Sequence, residues 1–178
     1  MIEMDEFEER LHKLNFYLSR NIYYHMRRQA FFMRWSRFTS FVGVMFGSAA
    51  AAALLSPLPT TVAAVLAIVV AGVSAFDLVV GTGQHASLHN DLRKRYLDLT
   101  SEITTVKPAN LDAIGQVFAR IKRIELDEPP TMPALEILAY EDTVRSIYNG
   151  DDAPKHLTKL SFFKRLTAQW FYWDTSKA

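Results

Sequence analysis

Polar and apolar positions are sharply segregated along this chain. Arg37 is the last ionisable residue before a stretch that stays uncharged until Asp77. That stretch is roughly twice the ~20 apolar residues needed to cross a bilayer core once. Ser56-Pro57-Leu58-Pro59-Thr60-Thr61 interrupts it near the middle. The pattern predicts two transmembrane helices, 38–55 and 60–80, joined by a tight uncharged turn. Burying such a hairpin inside a soluble core would take more apolar surface than the rest of the chain supplies.

The flanks read as amphipathic helix. No proline or glycine occurs before Gly43, so the residues from the N-terminus into the first span predict one long helix. Leu11, Leu14, Leu18 and Ile22 give it one packing stripe. Tyr23, Tyr24, Phe31, Phe32 and Trp35 precede the span, where aromatic rings suit the headgroup boundary. Beyond the second span, Gly81 and Gly83 allow a kink. A helix over 84–106 follows, striped by Leu88, Leu92, Tyr96, Leu99 and Ile103. Pro108 ends it, and Asn110 caps a further helix whose face is Leu111, Ile114, Phe118 and Ile121. Pro129-Pro130 stops that helix, and Thr131 and Pro133 open another carrying Leu135, Leu138, Ala139 and Ile147. Residues 149–152 read as a loop. A last helix over 155–173 presents Leu160, Phe163, Leu166 and Trp170 on one face among lysines and aromatics. It suits an anionic membrane surface or a protein contact equally.

The fold class is therefore all-α: a two-transmembrane hairpin with long cytoplasmic helical extensions and a small C-terminal helical bundle. Its divisions are a basic helix over 1–37, the hairpin over 38–80 and a helical region over 81–178.

Composition averages conceal this, since a net charge of +1 would suit an ordinary soluble domain. The absence of cysteine removes disulfides and thiolate metal sites and fits a reducing interior. The apolar run begins too late for a cleaved signal peptide, so the chain is expected to stay whole. Residues 1–9 are acidic, whereas Arg10, Lys13, Arg20, Arg27, Arg28, Arg34 and Arg37 come with no acid among them. Cationic flanks stay inside, and Arg93, Lys94 and Arg95 agree. Both termini are expected in the cytoplasm. Arg27, Arg28, Arg34 and Arg37 are candidates for phosphate or lipid contact, although topology and anionic lipid alone account for them.

Inside the spans, Gly43, Gly47 and Ala51 form one small-residue ladder and Ala67, Ala71 and Ala75 another. Small residues let helices approach closely, so one ladder can close the hairpin and the other a contact between copies. A homo-oligomer is expected, because two helices alone enclose no pathway; the alternative is that both ladders only close the hairpin within one copy. Ser40, Ser48, Ser74 and Asp77 are the candidate pore-lining residues. Asp77 fits a pathway or the membrane interface, and hydroxyls in spans often bond their own backbone.

Catalytic signatures are missing: there is no GxxxxGK[ST] loop, no GxSxG elbow and no cysteine nucleophile. His85 and His89 stand four apart without a third ligand, and His12, His25 and His156 are scattered. No enzyme activity, cofactor, metal or nucleic-acid partner is expected.

The chain resembles the SLATT family, bacterial two-transmembrane effectors associated with SMODS and SLOG proteins. The resemblance rests on Tyr24-His25 and Arg27-Arg28, the hairpin, and Asp77. It continues through His89-Asn90-Asp91-Leu92, Tyr96-Leu97-Asp98-Leu99, Asp127-Glu128-Pro129-Pro130-Thr131 and the Tyr140–Tyr148 helix. It implies an inner-membrane effector of an anti-phage, nucleotide-signalling conflict system that oligomerises and permeabilises the membrane. Infected cells then die or stop growing before phage spreads. It also implies a trigger from outside these residues, either a nucleotide second messenger or a separate sensor protein. A membrane-anchored scaffold for a cytoplasmic partner, or a holin or exclusion protein of phage, shares the same sequence features.

Overall fold

The structure is a computed structural model that describes residues 2–55, 59–104, 111–148, 157 and 160–175, without the side chains of 2–5 and 111. Ser56–Leu58 of the turn, Pro108, the Asn110 cap, the 149–152 loop, Lys155, His156 and Lys159 lie outside the described residues.

All regular structure among the described residues is helical. The order is α1 (Ile2–Leu54), α2 (Thr60–Val80), α3 (Thr82–Ile103), α4 (Leu111–Glu125), α5 (Pro133–Ile147) and α6 (Phe162–Thr167). Two of these, α1 and the α2–α3 stretch, are long and apolar enough to cross a membrane. α1 runs unbroken for 53 residues, as a sequence without interior proline allows. α2 starts directly after Pro59 and ends at Gly81, whose φ of 63° and ψ of 45° close the helix in the left-handed region. The Gly81 N–H donates to the Asp77 carbonyl at 2.8 Å, and the Gly81 carbonyl accepts from His85 N–H at 3.0 Å. One residue thus ends one helix and begins the next, a conformation for which glycine is the favoured residue.

The chain divides into two compact units, Gln29–Leu88 and a second made of Met1–Arg28 with His89–Ala178. In the second unit, Leu14 and Leu18 of α1 are fully buried, as are Leu92, Tyr96, Leu99 and Ile103 of α3. Ile114, Val117, Ile121 and Ile124 of α4 complete this core, while Phe118 is exposed. The α4 stripe therefore runs through 117 and 124 instead of the expected Phe118. A further cluster joins Tyr24, Ala134, Leu135, Leu138, Ala139, Leu160 and Ala168. Tyr24 is thereby core and not part of an interfacial aromatic belt.

The expected long helix over 155–173 is corrected to α6, six residues in length. Ser161 caps it by accepting from Lys164 N–H at 3.4 Å. Of the expected face, Leu160 is buried, whereas Phe163, Leu166 and Trp170 are exposed. Arg165, itself exposed, adds a tie by pairing at 2.9 Å with the buried carboxylate of Glu141.

Candidate functional site

In the unit Gln29–Leu88, burial is confined to one side of each apolar helix. Thr39, Val42 and Ala53 are buried on α1 and Ala63 on α2. Leu66, Val70, Val73, Asp77 and Val80 are half-buried along α2 at steps of three and four. Trp35 and Phe76 meet edge-on with ring centroids 5.8 Å apart. The remaining circumference is apolar and open: Phe41, Val44, Val65, Ile68, Leu78 and Val79 are all more than half exposed. Soluble monomers rarely leave so continuous an apolar surface in water.

The small-residue ladders fall mainly on that open side. Ala51, Ala67, Ala71 and Ala75 are exposed. Gly43 and Gly47 are half-buried, yet a Cβ added at either meets nothing within 4 Å. Close backbone approach within one copy therefore does not explain these glycines. Ser40, Ser48 and Ser74 are exposed. The Ser40 hydroxyl donates to the Ser36 carbonyl at 2.9 Å, and the Ser48 hydroxyl to the Val44 carbonyl at 2.6 Å. Both hydroxyls are thus satisfied by their own helix. Asp77 is half-buried and accepts from the Thr82 hydroxyl across the Gly81 break.

The four candidate arginines separate. Arg34 and Arg37 are exposed. Arg27 instead grips Asp142 with two parallel bonds of 2.5 and 2.8 Å, the strong bidentate geometry. Arg28 donates to the Gln169 carbonyl at 3.0 Å and to Met132 Sδ at 3.5 Å. Both side chains are engaged within the second unit.

That unit also holds a buried polar chain. Glu128 sits in the turn after α4, where Pro129-Pro130 prevents further helix. Its Oε1 accepts from the Tyr96 hydroxyl at 2.6 Å and lies 3.1 Å from His25 Nε2. His25 Nδ1 is in turn 3.0 Å from His89 Nδ1. His25 also stacks on Tyr96 at 5.7 Å. Burial opposes the charge on Glu128, but the bonds from His25 and Tyr96 outweigh it and hold the carboxyl below its usual range. With Glu128 ionised, His25 Nε2 must carry the proton. In the neutral ring, Nδ1 then accepts from His89 Nδ1–H.

His25 and His89 are each 1% exposed and Tyr96 is fully buried. The chain of contacts ties α1, α3 and the post-α4 turn together. Sequence reasoning missed it because each histidine was read in its local context. His85, four residues before His89 in sequence, stacks on Phe32 at 5.0 Å. Among the described residues no group of three or more His, Asp or Glu side chains could hold a metal ion.

Comparison with family models, curated proteins and solved structures finds no match to this chain.

Proposed function

We propose that this chain is a bacterial inner-membrane effector of the SLATT kind, which assembles from several copies and permeabilises the membrane. The observation that carries the reading is the uncharged stretch between Arg37 and Asp77, together with the exposed apolar sides of α1 and α2. A bilayer covers such surfaces without cost, whereas water does not. In this reading the two helices form a hairpin with both termini cytoplasmic. The exposed Arg34 and Arg37 stand at the inner headgroups, in accord with positive charge being retained inside. The outward alanines of α2 and the open glycines of α1 serve contacts between copies. Activation comes from a nucleotide second messenger or a separate sensor protein.

The test is release from liposomes. Purified full-length chain, reconstituted at increasing density, should release entrapped dye and K⁺ with a steep dependence on protein density. Cross-linked oligomers inserted in sealed liposomes that release neither would overturn the permeabilising role. A membrane-anchored scaffold is the second reading, favoured by a second compact unit with its own core. It predicts sealed vesicles in the same assay.

A further inference from the structure

Six large apolar side chains stand exposed within the short segment that includes α6: Phe162, Phe163, Leu166, Trp170, Phe171 and Tyr172. Phe162 is 81% exposed and Tyr172 72%. The segment is not loosely attached. Leu160 and Ala168 are buried in the cluster with Tyr24 and α5. Arg165 is paired to the buried Glu141, and Trp173 Nε1 donates to the Thr167 hydroxyl at 3.0 Å. The Gln169 carbonyl accepts from Arg28 at 3.0 Å. The aromatics are therefore held outward by a fixed backbone.

Charge identifies what covers them. From Lys155 to Trp173 the sequence contains Lys155, Lys159, Lys164 and Arg165 and no acid. Of these cations Lys164 and Arg165 lie among the described residues, Arg165 is paired to Glu141, and Asp174 follows directly. Fixed aromatic rings beside Lys164 match the headgroup boundary of an anionic bilayer. A protein partner would need a complementary acidic rim, whereas the leaflet supplies negative charge everywhere. The two apolar helices also keep a bilayer at high effective concentration, which makes a weak surface contact sufficient.

We propose that this aromatic face docks onto an anionic phospholipid surface, that of the same membrane the spans occupy. The inference rests on the membrane reading above, and the test separates the two. Because the chain has no cysteine, single cysteines can be placed and labelled with an environment-sensitive fluorophore. One is Tyr172→Cys at the proposed docking face, the other Ile68→Cys on the open side of α2. Full-length protein is placed in nanodiscs of zwitterionic lipid alone or with phosphatidylglycerol.

The label at 172 should shift to the blue and be quenched by nitroxide lipid, and more strongly with phosphatidylglycerol. Lys164→Gln should lower its docking equilibrium by about fivefold, the value of one cation near an anionic surface. A label at 172 that aqueous iodide reaches in both lipids overturns the proposal. Protection from both iodide and nitroxide lipid also overturns it, because the face is then covered by protein. Equal nitroxide quenching in the two lipid compositions overturns the requirement for anionic lipid. If nitroxide lipid fails to reach the label at 68, the membrane reading itself falls, and docking with it.

Discussion

At Glu128 a single carboxylate oxygen accepts from Tyr96 and from His25. Removing its charge leaves both donors facing a weaker acceptor in a buried place. Glu128→Gln should therefore cost about 2–3 kcal/mol, as expected for hydrogen bonds to a charged group. The midpoint of helix loss in detergent measures this. The pH dependence follows from the same carboxylate, whose folded-state pKa lies below the ordinary value of 4.5. Its stabilisation is present above that value and is lost as pH falls through the folded-state pKa. Glu128→Gln should accordingly be less sensitive to acid than the parent chain; equal sensitivity would remove Glu128 as the origin. Tyr17 carries the opposite sign. Burial, followed by its 2.5 Å bond to Glu125, pushes its hydroxyl up to about 12. Its contribution is intact below the usual tyrosine value of 10 and is lost as pH rises through about 12. In an absorbance titration Tyr17→Phe should delete one phenolate from the late phase.

Gly81 is the element-scale hinge point between α2 and α3. Its φ of 63° disfavours any side chain, and an added Cβ would meet Gln84 Oε1 at 3.4 Å. Gly81→Ala should cost about 1 kcal/mol or bias the chain towards a straight α2–α3 helix. Spin-label distances between 70 and 87, on either side of Gly81, would report the change, and unchanged distances with unchanged stability would dismiss the hinge. Gly47 makes a second element-scale prediction. With open space beside it, Gly47→Leu should preserve the monomer's helix content and reduce oligomer mass in detergent. A normal oligomer would exclude the α1 ladder from subunit contact. The long helices were legible because charge exclusion and three-to-four spacing are local signals, and the Thr60–Val80 limits follow from Pro59 and Gly81. The α4 face was misassigned because Ile114 and Ile121 fit a stripe through either Val117 or Phe118, and only packing selects Val117. The last helix was overextended because Leu160, Phe163, Leu166 and Trp170 have helical spacing. Its orientation is set instead by Glu141, a distant partner of Arg165. The His25–His89–Glu128 chain was illegible for the same reason, its members standing 64 and 103 positions from His25.

For the molecule as a whole, the decisive question is whether the apolar helices work or merely hold. An anchor needs length and hydrophobicity, which any two spans provide. A permeabilising assembly needs particular outward residues, because helix contacts in lipid depend on packing and not on hydrophobic driving force. The chain has features an anchor does not require: open glycines at 43 and 47 and exposed alanines at 67, 71 and 75. Replacing residues 38–80 by an unrelated two-span anchor, with 1–37 and 81–178 retained, should therefore abolish permeabilisation while preserving membrane residence. The measurement is potassium loss and dye entry in cells expressing parent or chimaera at equal membrane abundance. A chimaera as toxic and as leaky as the parent would move the function to the flanking helices and establish the scaffold reading. A chimaera that stays in the membrane without leakage, and regains leakage when only the 43, 47, 67, 71 and 75 residues are restored, would locate the function in the small-residue faces.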